Sequence, residues 1–170
     1  ISRARSIAKN ADLAIVVLGE NQVRPGTDGE GYDVASLDLT GLQEDLLKAV
    51  YETGTPTILI LINGRPLSIR WAAEKIPAIV EAWLPGELGG QAVAEIIFGD
   101  INPGGKLPVT FPRHSGQLPV YYNYMPDKLY WIKDGWGKPY ADMPASPLWE
   151  FGFGLSYTKF DYSNLTLDKS

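Results

Sequence analysis

Residues 56–62 read PTILILI, and the matching stretch upstream, residues 13–18, reads LAIVVL. Each is a nearly continuous run of apolar side chains rich in β-branched residues, too short for a buried helix and lacking the polar alternation of a half-solvated strand. Both therefore read as strands covered on two faces, as in parallel sheets. Between them, residues 41–53 place Leu42, Leu46, Leu47, Val50 and Tyr51 on one helical face, with Thr40 as the expected N-cap and Gly54 as the expected C-cap. Strand, helix and strand in that order predict a βαβ crossover.

The same alternation continues on either side. Upstream, residues 3–10 suit a helix with Ile7 and neighbouring alanines as a small apolar face. Downstream, Asn63-Gly64-Arg65-Pro66 has the composition of a turn. Residues 67–75 then suit a helix, residues 78–84 a third strand, and residues 90–98 a helix with Val93, Ile96 and Ile97 facing inward. The predicted class is α/β, a largely parallel sheet flanked by helices. From Gly99 glycine and proline become dense: residues 106–111 suit an edge strand, where proline is tolerated. Residues 125–146 suit a long ordered loop carrying Tyr130, Trp131, Trp136 and Tyr140. Alternation from Tyr157 onward suggests a strand leaving the domain, so we expect one domain over residues 1–155 and a strand or linker over 156–170 leading to the next.

At 170 residues, with 45% hydrophobic and 21% charged side chains, the chain can bury a sizeable core without staples. A net charge of −5 and the lack of a basic stripe argue against nucleic acid or an anionic membrane as the main partner. With no cysteine there are no disulfides and no thiolate metal sites. No apolar run approaches the ~20 residues that span a bilayer. The first residue is Ile, consistent with a fragment or a processed product.

Chemistry concentrates in residues 18–43, LGENQVRPGTDGEGYDVASLDLTGLQ, a glycine-rich loop at the carboxyl end of the first strand, where ligands of open α/β sheets bind. Its acids are Glu20, Asp28, Glu30 and Asp33. Any one alone is an ordinary solvated side chain. GTDGEG matches no phosphate-binding pattern, the acids do not match an EF-hand, and neither a metal nor a cofactor is expected. His114, the sole histidine, has no nucleophile signature nearby, which makes a surface role the better reading. Trp83, at the end of the third strand, suits either a core position or a sugar-stacking platform.

Several segments in order resemble the second, α/β-sandwich domain of the glycoside hydrolase family three β-glucosidases. They are Val17-Leu18-Gly19-Glu20; Glu30-Gly31 with Leu37-Asp38-Leu39 and Gln43; Ile62-Asn63-Gly64-Arg65-Pro66-Leu67; and Ala82-Trp83-Leu84-Pro85-Gly86. The series continues through residues 98–108 (FGDINPGGKLP), Phe111-Pro112-Arg113, Gln117-Leu118-Pro119 and residues 151–157 (FGFGLSY). The resemblance implies a retaining, exo-acting glycosidase whose aspartate nucleophile sits in a (β/α)₈ barrel domain outside this chain. The acid/base glutamate comes from the present domain and aligns with Glu30, with Glu20 as the rival. It further implies substrate contacts from Asp28, Tyr32 and Asp33, a β-glucoside or oligosaccharide substrate, and a periplasmic or secreted location. Alone, the chain would hydrolyse nothing. A non-catalytic module that binds saccharide or packs on the barrel is the alternative. Two departures stand out: Val34 and Ala35 occupy the region where many members carry an arginine, and the earlier strand with which members open this domain is missing, so the sheet is expected to lack its first strand or strands.

Overall fold

The computed structural model describes residues 1–21, 33–123 and 140–168. Three strands, β1 (Ala14–Gly19), β2 (Thr57–Ile62) and β3 (Ala78–Glu81), form one parallel sheet in the order β1-β2-β3. In register, Val16 lies beside Leu59 and Leu59 beside Ile79, while Leu18 pairs with Leu61. Side chains alternate between faces along a strand, so these residues share one side of the sheet. They pack there with Leu47 of helix α2 (Gln43–Tyr51) and with Ala72 and Ile76 at helix α3 (Arg70–Lys75). Leu47, Leu59 and Leu61 are wholly buried. Helix α1 (Ser2–Ala8) lies against α2.

The opposite face differs from the expectation of strands covered on both sides. Ile60 is buried, but Ile15 and Val17 on β1 remain 47% and 54% exposed. β1 is the outer strand of the described sheet, and its second face is left open among the described residues.

Element boundaries also move for local reasons. Helix α2 starts behind Leu42, which is exposed, and no side chain caps it. The Thr40 hydroxyl instead accepts from the Gln43 side chain. Helix α3 begins only at Arg70, because the backbone of Ser68 bonds to the Leu37 carbonyl while Leu67 and Ile69 plug the core. Strand β3 ends early at a turn in which Trp83 adopts φ +53°. Helix α4 (Gly89–Phe98) stops at Gly99, whose φ of +83° is a left-handed cap.

Residues 106–111 do not form the expected edge strand. Leu107 and Phe111 do exchange backbone hydrogen bonds with residues 148–153, but the chain bends at Pro108 and Val109 between them, so the contacts stay separate. Phe111 is 0% exposed, with its ring in edge contact with both Trp83 and Trp149 at centroid distances of 5.7 and 5.8 Å. Tyr157 is tied back to α4 and to Asn102. Residues 157–168 pair with no strand, and Phe160, Tyr162, Leu165 and Leu167 are exposed.

Candidate functional site

The carboxyl ends of the three strands converge on a polar shelf. Gly19 closes β1 with φ +142°, and a Cβ added there would lie 1.9 Å from the Ile62 carbonyl oxygen, so only glycine lets β1 approach β2 this closely. The next residue, Glu20, donates its backbone N–H to that carbonyl at 2.9 Å. Its carboxylate then turns inward: Oε1 lies 3.2 Å from Arg65 Nε, and Oε2 accepts the Gly64 N–H at 3.1 Å. The Glu20 side chain is 2% exposed. The turn after β2 is thus what holds the first acid of the loop.

Behind this pair sits a second carboxyl. Glu81, the last residue of β3, accepts the Trp83 N–H at 3.0 Å and lies 3.4 Å from Asn63 Nδ2. Burial pushes its pKa up to about 7, against the lowering effect of these two donors, and the negative charge of Glu20 adds to the rise. Asn63 is wholly buried, donates Nδ2 to the Arg65 carbonyl at 2.8 Å, and its Oδ1 accepts from no described residue. The Trp83 turn is what brings these groups together, since the Trp83 carbonyl also receives the Asn63 N–H.

Gln43, the first residue of α2, reaches back to the loop base. Its Oε1 accepts the Gly19 N–H at 2.8 Å, while Nε2 donates to the Gly19 carbonyl at 2.8 Å and to the Thr40 carbonyl and hydroxyl at 3.2 and 3.1 Å. The returning arm is held further along by the Ser115 hydroxyl on the Leu37 N–H and by the Ser36 hydroxyl on Asp38.

Among the residues expected from sequence, Glu20 is on the shelf and Asp33 is exposed on the returning arm. Glu30, Asp28 and Tyr32 lie outside the described residues, as do Tyr130, Trp131 and Trp136. His114 is exposed, and its Nδ1 accepts the Gly116 N–H. Trp83 is partly buried against Phe111. No three carboxylate or imidazole groups among the described residues converge as a metal site would require. Sequence reading passed over Glu81, although a lone carboxylate in the apolar run AIVEAWL was its signal. Gln43 carried the resemblance without a role assigned to it.

This geometry defines an α/β domain with Glu20 and Glu81 clustered at the carboxyl edge of a parallel sheet. The chain belongs to glycosyl hydrolase family 3: the model of that family's C-terminal domain matches residues 1–157. It is 50% identical over 167 residues to a beta-xylosidase of Formosa agariphila, covering 98% of this chain and 22% of that protein. It is 41% identical to a periplasmic beta-glucosidase of Salmonella typhimurium, covering 98% and 22%. Among solved structures, the beta-glucosidase of Listeria innocua in complex with glucose superposes with a TM-score of 0.81 at 35% identity, over 92% of this chain and 22% of that one. The chain therefore spans about a fifth of the length of these relatives.

Proposed function

We propose that this chain is the C-terminal α/β domain of a retaining, exo-acting glycoside hydrolase of the β-glucosidase or β-xylosidase type. Its Glu30 serves as general acid and base in an active site shared with a (β/α)₈ barrel domain outside the chain. The observation that carries the choice of acid is the state of its rival: Glu20 is buried and engaged by Arg65 and Gly64, which suits a structural clasp better than a proton donor that must reach a glycosidic oxygen. Including xylosides beside glucosides follows from the names of the relatives.

In such a mechanism one carboxylate attacks the anomeric carbon while a carboxylic acid about 5–5.5 Å away protonates the departing oxygen, then deprotonates the water that hydrolyses the glycosyl-enzyme. Glu30 is flanked by Gly29 and Gly31, which allow close approach to a sugar. Asp28, Tyr32 and Asp33 supply substrate contacts, and the barrel supplies the nucleophile, so the chain alone is inactive. A periplasmic or secreted location accords with the periplasmic relative. Residues 156–170 lead toward a further domain.

Glu30→Ala in the full-length enzyme, assayed on 2,4-dinitrophenyl β-glucoside and β-xyloside, tests the assignment. The expected result is a loss of steady-state turnover by roughly 10²–10⁴. Azide, which needs no base to attack the glycosyl-enzyme, should restore turnover and give a glycosyl azide of retained configuration. Unchanged turnover in Glu30→Ala, with loss in a parallel Glu20→Ala enzyme, would transfer the role to Glu20. If neither change matters, the domain is a non-catalytic module.

A further inference from the structure

The bonds around Gln43 have a pattern that ordinary helix starts lack. In a parallel sheet, successive residues of a strand direct their backbone N–H and C=O to opposite edges. Glu20 turns its N–H toward β2, onto the Ile62 carbonyl, so Gly19 turns both of its groups to the outer edge of β1. No described strand lies there to receive them. The Gln43 amide does: its carbonyl takes the Gly19 N–H and its NH₂ meets the Gly19 carbonyl, both at 2.8 Å, as a neighbouring peptide group would. The same nitrogen bonds the carbonyl and hydroxyl of Thr40. One side chain thereby bridges the residue on which the chain enters the acidic loop and the residue on which it leaves. Only a primary amide with this reach offers the required acceptor and two donors; glutamate lacks the donors, and methionine lacks them too and has only a weakly accepting sulfur.

From this we infer that Gln43 is a positioning residue for the general acid, fixing the separation and orientation of the two stems between which Glu30 is strung. The inference rests on the reading of Glu30 given above. Proton transfer depends steeply on placement, so a shift of about 1 Å in the acid can lower a rate by roughly 10²-fold. Removing the bridge leaves Glu30 chemically intact and misplaces it.

The test separates loss of acid catalysis from loss of structure. In the full-length enzyme, kcat/KM is measured for phenyl and 2,4-dinitrophenyl glycosides of whichever sugar the unmodified enzyme prefers. The first leaving group needs protonation and the second does not. With Gln43→Met, kcat/KM on the phenyl glycoside is expected to fall roughly 10–100-fold further than on the dinitrophenyl glycoside. Glu30→Ala, measured alongside, should show the same selectivity more strongly. Equal losses on both substrates in Gln43→Met, or no loss, beside a selective Glu30→Ala would overturn the positioning role while leaving Glu30 in place. A non-selective Glu30→Ala would overturn the parent reading and this one with it. Should Gln43→Met fail to accumulate as folded enzyme, Thr40→Val removes only the hydroxyl contact. It is expected to show a smaller loss, about twofold or more, selective for the phenyl glycoside, and a non-selective loss or none overturns the proposal.

Discussion

The shelf at the strand ends and the lobe around Phe111 both depend on chain outside regular elements, yet they are held by opposite means. The lobe is apolar: Phe111 packs against Trp83 and Trp149, and scattered backbone bonds from residues 107–111 to residues 148–153 keep it closed. The shelf is polar and encloses, wholly or in part, two carboxyls, a guanidinium and an amide whose oxygen accepts from no described residue. Packing of the first kind stabilises directly through area removed from water. Burial of the second kind recovers little beyond its desolvation penalty, so it is retained for what it positions. Trp83 belongs to both regions: its backbone shapes the shelf and its ring packs in the lobe.

That contrast can be broken at either end. The largest effect is expected in the lobe. Phe111→Ala should destabilise the chain by about 3–5 kcal/mol, because a fully enclosed ring with two tryptophan neighbours leaves a cavity that irregular backbone collapses poorly around. Urea unfolding of the 170-residue chain measures it. A loss below about 1 kcal/mol would mean that the lobe contributes shape without stability.

On the shelf, Arg65→Met should cost about 3 kcal/mol, since it removes the guanidinium that lies 3.2 Å from the buried Glu20 carboxylate. The double change Arg65→Met with Glu20→Gln should recover part of that loss, which separates the lost ion pair from the lost packing. If the double variant were no more stable than the single one, the ion pair would not be what Arg65 provides.

The lobe and the shelf also differed in how far they could be read from sequence. The βαβ alternation was legible because PTILILI and LAIVVL leave little choice of structure, and all three strands lie where the apolar runs are. The open face of β1 was not, because a run of apolar residues says that a strand wants covering and does not say what covers it. In the lobe, Leu107 and Phe111 looked like one strand; a bend at Pro108 and Val109, which no periodicity announces, divides it into separate contacts. On the shelf, Glu20 stood out as a loop acid, but its engagement depends on Arg65, 45 positions away, and no local pattern carries that pairing. Glu81 was masked by its apolar neighbours in the same way, and Gln43 by its place at the start of an amphipathic helix.

The smallest of the expected effects is the most informative about the shelf. Because the folded pKa of Glu81 is raised from 4.5 to about 7, the folded chain keeps a proton between those values that the unfolded chain has released. The unfolded state gains from that release, so this group's contribution to stability is intact below about pH 4.5, falls as the pH rises toward 7, and stays low above it. The full shift corresponds to about 3 kcal/mol, and about 2 kcal/mol is a fair expectation for a side chain that is not wholly enclosed. Glu81→Gln should abolish this part of the slope. Absolute stability is a poorer readout, because the new amide keeps an acceptor for the Trp83 N–H but sets a donor beside Asn63 Nδ2, where Glu81 has an oxygen at 3.4 Å. The comparison is therefore between slopes, from unfolding series at several values between pH 4.5 and 7.5. A flatter profile in Glu81→Gln would show that the shelf holds a neutral carboxyl at its base. Identical slopes would mean that Glu81 titrates in its ordinary range and that water reaches the shelf from below.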